Sequence, residues 1–222
     1  DPATGKSWQR VKFQPSIVAY TVGKTRYEKE PDSADLATLA KIESVPLPAY
    51  VPTNRFPIED MYHGSRIAPK GFTHVHHFFL PRAAQAMGAL WAKAQSHSDP
   101  RIRAFLTFMV EQAIWGLSVL NRYGPTHFSQ VNRMLTGVYY VASQHSECSP
   151  WYILDGKLSR LSKAFVGAKP QGTFAAITTG TCAAIPLAPQ SVDYIFTDPP
   201  FGENIFYADL NFLVEAWHHV RT

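Results

Sequence analysis

An aspartate followed by two prolines and a phenylalanine lies late in the 222-residue sequence, directly after an apolar run. The run Val192–Thr197 predicts a buried strand, and Asp198, Pro199, Pro200 and Phe201 follow it. Ligands of α/β sheets bind at the carboxyl ends of strands, so we expect Asp198 to face a ligand. The Asp198 carboxylate and the Pro199 carbonyl are both hydrogen-bond acceptors, and prolines have a fixed φ and no N–H. Such a stiff turn is predicted to hold both acceptors in one direction.

The segment Ser191–Gly202 closely resembles the catalytic tetrapeptide of amino-group DNA methyltransferases, (Asp/Asn/Ser)-Pro-Pro-(Tyr/Phe/Trp), together with the strand that precedes it in those enzymes. The following run Asn204–Leu213 is similar to one subgroup of bacterial adenine-specific or cytosine-N4 methylases. Arg26–Lys29 and Thr73–Phe79 also have counterparts in that subgroup, so the resemblance spans most of the chain. It implies an α/β fold: part of a Rossmann-like S-adenosylmethionine-dependent methyltransferase, with a helical middle section and a small β-containing N-terminal appendage.

The resemblance also implies a role for each residue of the tetrapeptide. Asp198 and Pro199 would orient an exocyclic amino group, adenine N6 or cytosine N4, Pro200 would stiffen the turn, and Phe201 would stack on the extruded base. The implied cofactor is S-adenosylmethionine, whose sulfonium suits the Asp198 carboxylate, and the implied partner is double-stranded DNA with a flipped base. Whether a restriction enzyme is paired with the methylase is left open.

Two other functions remain open at this point. The same tetrapeptide occurs in methyltransferases that act on RNA bases and on protein glutamine, so the acceptor is less well determined than the reaction. A non-catalytic nucleic-acid-binding module that keeps the tetrapeptide as scaffold is the alternative from a different class of protein.

The glycine turn that the family uses to bind its cofactor has no counterpart in the sequence, because none of the 13 glycines forms Gly-x-Gly. The resemblance implies that this loop lies ahead of Asp1. The sequence starts without methionine and stops at Arg221-Thr222 within a pattern that predicts a continuing helix, so we expect a piece of a longer methylase that is inactive alone. After the strand that corresponds to the predicted strand Thr173–Thr179, the family carries an acidic residue that contacts the cofactor. The resemblance therefore implies Thr181, which lies at this position, as a cofactor-binding candidate.

The remaining pattern divides the chain into three parts: 1–45, 46–70 and 71–222. The first part is predicted to hold a hairpin that turns at Gly23-Lys24 and a helix that is capped by Asp32 or Ser33 and ends near Ser44. The second is a proline-rich connection. For the third part, the patterns predict helices over 82–95, 100–122 and 158–165 and strands over 73–80, 137–143, 173–179 and 192–197.

The sequence His74-Val75-His76-His77 contains three candidate metal ligands. On a strand, His74 and His76 share one face and His77 points to the other, so at most two ligands converge. Zinc requires three or four, and we therefore predict no metal site.

Composition excludes several classes of protein. A 45% apolar and 13% aromatic content argues against disorder. The longest apolar stretch, Ala104–Leu120, carries Glu111 and Gln112 and is too short for a membrane span, and Cys148 and Cys182 cannot form a disulfide framework. We expect a cytoplasmic protein.

Basic residues are in excess over 101–169 and acidic residues from 170 onward, which suits a polyanion partner or two differently solvated surfaces.

Overall fold

The computed structural model describes residues 1–61, 64–124, 139–167, 175–178, 180–199 and 206–220. In chain order, the elements in these ranges are β1 (Val18–Val22), β2 (Thr25–Lys29), α1 (Ser33–Glu43), α2 (Gly64–Ile67), a 3₁₀ turn (Ala68–Lys70), a second 3₁₀ turn (Val75–Phe78), α3 (Pro81–Gln95), α4 (Pro100–Glu111), α5 (Ile114–Leu117), α6 (Pro150–Gly167) and α7 (Tyr207–His218). Helices are therefore combined with a two-stranded antiparallel sheet, β1–β2, which makes the fold α/β in a coarse sense.

The predicted N-terminal hairpin is confirmed. Val22 pairs with Thr25, so Gly23 and Lys24 form a two-residue turn. Gly23 has φ 62°, a left-handed conformation that glycine adopts without steric cost at the first central position of such a turn. The hairpin is largely exposed, and the stacking of Tyr20 on Tyr27, with ring centroids 5.5 Å apart, supports its register.

The first helix begins and ends where its capping residues predict. Asp32 is the N-cap, because its side chain accepts hydrogen bonds from the backbone N–H groups of Ala34 and Asp35, and Asp35 in turn accepts from the backbone of Asp32. Asp32 rather than Ser33 therefore caps α1. The helix ends at Glu43, and the N–H of Ser44 donates to the carbonyl of Ala40.

The helical middle section is built on α3, which packs against α1, α4, α5 and α6. Pro81 occupies its first turn, where a missing N–H costs nothing, and Asp99 caps α4 by accepting from the N–H groups of Arg101 and Ile102. The face of α3 that enters the core consists of Ala83, Ala84, Met87, Gly88, Trp91 and Ala94. The predicted starts of both helices are thus confirmed.

The prediction of one continuous helix over 100–122 was wrong. α4 ends at Glu111, α5 is a single turn, and Ser118 then forms a bridge with Phe79. The run is apolar on every side, so a straight helix would leave part of it facing water. The breaks instead bury four apolar side chains in the core: Ile114, Leu117, Val119 and Leu120.

The predicted strand over 73–80 is a 3₁₀ turn with isolated bridges at its two ends, Arg55 to His74 and Phe79 to Ser118. A strand requires a ladder of hydrogen bonds along a neighbour, and only single bridges are formed here. The turn instead buries four consecutive residues, Val75, His76, His77 and Phe78. A strand would point alternate side chains to opposite faces.

The other strand predictions of the third part were also wrong in the ranges that the structure describes. Residues 139–143, 175–178 and 192–197 form no strand. Ile177, Ile195 and Phe196 are 97%, 74% and 81% exposed. Strands take their hydrogen bonds from neighbouring strands, and the described residues place none beside these segments. The predicted helix over 158–165 is confirmed but longer, because Pro150 begins α6.

The proline-rich connection contributes to the same core as α3. Val51, Phe56, Met61 and Ile67 are buried there, and Phe56 packs on Phe78 with ring centroids 5.1 Å apart. The division into 1–45, 46–70 and 71–222 stays a prediction. None of the described helices is both long and apolar enough to cross a membrane.

Candidate functional site

Asp198 and Pro199 lie in an exposed segment, residues 180–199, that has no regular secondary structure. The two residues are themselves exposed, whereas Pro200 and Phe201 lie outside the described residues. The position of Asp198 at the end of a strand, as the sequence predicted, is therefore not observed. The roles assigned to the tetrapeptide stay predictions.

The Asp198 carboxylate is open to a ligand. It forms no hydrogen bond or ion pair with any other residue in the described ranges, and no arginine or backbone N–H holds it inward. A carboxylate in this state keeps its acceptor positions for a donor that arrives from solution.

Thr181, the cofactor-binding candidate, lies in the same exposed segment. Its Oγ1 accepts a hydrogen bond from the N–H of Ala183 at 3.3 Å, and its carbonyl accepts from Ala184 at 3.3 Å. The hydroxyl thus stabilises a local turn. Its hydrogen remains available as a donor, and a contact of Thr181 with a cofactor stays a prediction.

Helix α7 follows the tetrapeptide and joins it to the core. Leu213, Ala216 and Trp217 are buried, and Trp217 contacts Trp91 and Phe79, with ring centroids 5.1 Å and 5.5 Å apart. The pattern predicted that this helix continues to Arg221. It ends at His218 instead, because His219 adopts a left-handed φ of 55°.

The hydroxyl of Tyr139 connects the core to the first turns of α7. It donates to the carbonyl of Asp209 at 2.5 Å and accepts from the N–H of Leu213 at 3.3 Å. Burial raises the pKa of Tyr139 above its usual range, so the hydroxyl keeps its proton and remains a donor. The bond therefore fixes α7 at the end nearer to Asp198.

We expect Tyr139→Phe to lower the free energy of unfolding by about 0.5–1.5 kcal/mol, because it removes the hydrogen bonds to α7 and keeps the ring. The neighbouring Tyr140, which is 47% exposed, provides a matched control, and Tyr140→Phe should leave stability unchanged. Urea unfolding followed by fluorescence measures both. Equal effects of the two substitutions would contradict the attachment of α7 through Tyr139.

Three histidines and the first residue of the chain form a second cluster. The Nε2 atoms of His76 and His77 lie 3.1 Å and 3.0 Å from Oδ2 of Asp1. His74 lies beside them, with its ring centroid 5.1 Å from that of His77 and its Nδ1 2.9 Å from the hydroxyl of Thr73. The side chains of His76, His77 and Asp1 are 8%, 1% and 5% exposed.

The electrostatics of this cluster favour neutral imidazoles. Burial, together with the neighbouring basic groups of His74 and Arg10, lowers the pKa of His76 to about 4. Burial likewise lowers the pKa of His77 to about 3, with His76, His74 and Arg10 as the neighbouring positive charges. Both rings are therefore uncharged near neutral pH. The Nδ1 of His77 accepts a hydrogen bond from the backbone N–H of Thr73 at 3.2 Å.

The geometric reason for predicting no metal site was wrong. His76 and His77 belong to a 3₁₀ turn, in which neighbouring side chains are about 120° apart, whereas on a strand they would point in opposite directions. The two rings converge, and their centroids are 4.3 Å apart. Asp1 could not have been predicted as their partner, because no local pattern links residues so far apart in the sequence.

Comparisons of the chain with known protein families, with curated proteins and with solved structures found no match. A functional assignment therefore depends on the chemistry of Asp198 and its surroundings.

Proposed function

We propose that this chain carries the catalytic turn of an S-adenosylmethionine-dependent methyltransferase that modifies an exocyclic amino group of a DNA base, adenine N6 or cytosine N4. The observation that carries the proposal is the Asp-Pro-Pro-Phe sequence whose first two residues are exposed, with the Asp198 carboxylate open to a ligand. Asp198 and Pro199 orient the amino group, Pro200 stiffens the turn, and Phe201 stacks on the extruded base.

The proposed chemistry follows from the weakness of a base amino group as a nucleophile, since its lone pair is delocalised into the ring. When the Asp198 carboxylate and the Pro199 carbonyl each accept one N–H, they draw the nitrogen toward a tetrahedral arrangement and direct its lone pair outward. S-adenosylmethionine, when bound, supplies a methyl group on a positively charged sulfur. The Asp198 carboxylate suits that charge, and it also favours removal of the proton that the nitrogen loses.

The proposed cofactor site is only partly contained in these 222 residues. Asp198 fits a sulfonium ligand because it is accessible and has no cationic partner in the described ranges. The glycine-rich turn of the family is absent from the sequence, so the proposal assigns it to another part of the protein. The apolar segment before Asp198 supports this assignment: Tyr194, Ile195 and Phe196 are 79%, 74% and 81% exposed, and the inner strand of a Rossmann-like sheet would cover them.

The surface of α6 supports DNA as the partner. Arg160 and Lys163 are exposed on this helix, and the exposed Trp151 and Tyr152 lie at its start. α6 packs on α4, where Phe105 contacts Phe165 with ring centroids 4.7 Å apart and where Arg101 is exposed. Exposed basic residues with aromatic neighbours are typical of surfaces that bind nucleic-acid phosphates and unstacked bases.

A methyl-transfer assay on the complete protein tests the proposal. Purified protein is incubated with isotope-labelled S-adenosylmethionine and, in parallel, with duplex DNA, RNA and a glutamine-containing peptide. We expect label in DNA, on adenine N6 or cytosine N4. Label only in RNA or peptide would replace DNA by that acceptor, and absence of label from all three would favour the non-catalytic nucleic-acid-binding module.

In calorimetric titration, residues 1–222 alone should bind the cofactor weakly or not at all, because the sequence lacks the glycine turn of the family. Micromolar affinity would contradict the argument from the missing glycine turn.

A further inference from the structure

The cluster of Asp1, His76 and His77 has the composition of a metal site. It presents two imidazole nitrogens and one carboxylate oxygen, all within 4.8 Å of one another. Three ligands of this kind, with the fourth position taken by water, are one of the standard ligand sets of zinc. Imidazole ligands also select transition-metal ions over Mg²⁺ and Ca²⁺, which prefer oxygen.

The distances within the cluster suit a bound ion. A tetrahedral site with metal–ligand bonds of about 2.0–2.1 Å separates neighbouring ligand atoms by about 3.3 Å. Asp1 Oδ2 lies 3.1 Å from His76 Nε2 and 3.0 Å from His77 Nε2. Two of the three separations are therefore close to those of a tetrahedral site, and all three ligand atoms lie within 4.8 Å of one another.

The N-terminal segment that supplies Asp1 is held in place by its own contacts. The ring of Trp8 stacks on that of His77 with centroids 4.2 Å apart, and the Trp8 indole N–H donates to the Gly71 carbonyl at 2.6 Å. Gly71 has φ 82°, and a Cβ there would lie 2.2 Å from the Gln9 carbonyl oxygen, so the close passage of the segment requires glycine. The ligand set is thus assembled by packing before any ion binds.

The Asp1 carboxylate is oriented toward the two histidines. Its Oδ1 accepts from the N–H of Ala3 at 3.0 Å and its Oδ2 from the hydroxyl of Thr4 at 2.8 Å. The carboxylate is therefore held by local hydrogen bonds with Oδ2 directed at the two imidazoles.

His76 contributes a second observation. Its side chain is only 8% exposed, and its Nδ1 has no hydrogen-bond partner in the described part of the protein. The ring is therefore not held by a polar network on its far side, and its polar contact in the described ranges is the one that Nε2 makes with Asp1. Within the described residues, an ion beside Asp1 would therefore compete with a single polar contact of this ring, the hydrogen bond of Nε2.

We propose that Asp1, His76 and His77 bind one divalent transition-metal ion, with Zn²⁺ as the favoured species and with water as the fourth ligand. The ion joins the first residue of the chain to the 3₁₀ turn Val75–Phe78 and so fastens the N-terminal segment to the helical core. This inference is independent of the proposed methyl transfer, because it concerns neither Asp198 nor its segment.

Titration of the metal-free chain tests the site. Residues 1–222 are dialysed against a chelator and titrated with Co²⁺, whose visible absorption reports a four-coordinate site, and Zn²⁺ is then added as competitor. We expect one equivalent of Co²⁺ to bind, Zn²⁺ to displace it, and Zn²⁺ to raise the midpoint of thermal unfolding. A wild-type chain that binds neither ion with one-to-one stoichiometry would overturn the proposal, since the cluster would then be a hydrogen-bonded group only.

Two variants test the assignment of Asp1 as a ligand. Asp1→Asn keeps the shape of the side chain and should weaken Zn²⁺ binding at least tenfold. His219→Asn, at an exposed position outside the cluster, is the matched control and should bind as the wild type does. Circular dichroism verifies that both variants fold. Unchanged affinity of Asp1→Asn would contradict the assigned ligand set.

Discussion

Replacement of Asp198 by alanine is expected to reduce methyl transfer by the complete protein by a factor of about 10²–10³. The substitution removes one of the two acceptors that we propose to orient the amino group, and the contribution of such an orientation is realised only as the nitrogen attacks. DNA affinity should stay close to that of the wild type, because phosphate contacts supply most of the binding energy. Kinetic assays with labelled cofactor, together with a DNA-binding titration, measure the two effects separately.

Two further substitutions sharpen this test. Asp193 is an exposed acidic residue of the same segment, so Asp193→Ala alters the charge of the segment equally and should leave the rate unchanged. Asp198→Asn retains an acceptor oxygen, and the resemblance to the (Asp/Asn/Ser)-Pro-Pro pattern implies a smaller loss than alanine causes. If Asp198→Ala had full activity, the tetrapeptide would serve as scaffold and its catalytic role would be refuted.

Trp217→Ala should lower the free energy of unfolding by about 3–5 kcal/mol. Trp217 is 0% exposed and packs between Trp91 and Phe79, so its removal opens a large cavity where α7 meets α3. Since domains are stable by about 5–15 kcal/mol, this is a large share of the total. Urea unfolding, followed by circular dichroism to avoid the change in tryptophan fluorescence, gives the difference.

The controls for this prediction use the chain's own tryptophans. Trp151 is 71% exposed, and Trp151→Ala should change stability by less than about 0.5 kcal/mol. Trp217→Phe should cost less than alanine, because the indole N–H of Trp217 is buried without a partner in the described ranges and phenylalanine has no such group. A loss below about 1 kcal/mol for Trp217→Ala would mean that α7 is not anchored by this side chain.

Short-range features of the fold could be predicted from the sequence. Asp32 and Asp99 cap helices by hydrogen bonds to residues two or three positions away, and Pro81 and Pro100 occupy first turns. Gly23 forms its hairpin turn through its own backbone preference. Each of these interactions is complete within a few residues, so its signal is present in the local sequence.

The extended segments could not be predicted in this way. The apolar runs over 73–80 and 192–197 have the composition of strands, but a strand is defined by hydrogen bonds to a neighbour, and that neighbour can be distant in the sequence. For 73–80 the available neighbours give two isolated bridges, and the chain forms a 3₁₀ turn between them. For the apolar run 100–122, burial on all sides required breaks that no helical periodicity indicates.

The two candidate sites also differ in how far apart their residues lie in the sequence. The chemistry proposed for Asp198-Pro199-Pro200-Phe201 follows from residue types alone, because its acceptors and its stiff prolines lie within four consecutive residues. Only the tertiary structure shows Asp1 beside His76 and His77. That contact depends on the path of the N-terminal segment past Gly71 and on the 3₁₀ conformation of Val75–Phe78. Contacts between residues distant in sequence are fixed by packing over the whole core, and no local pattern encodes them.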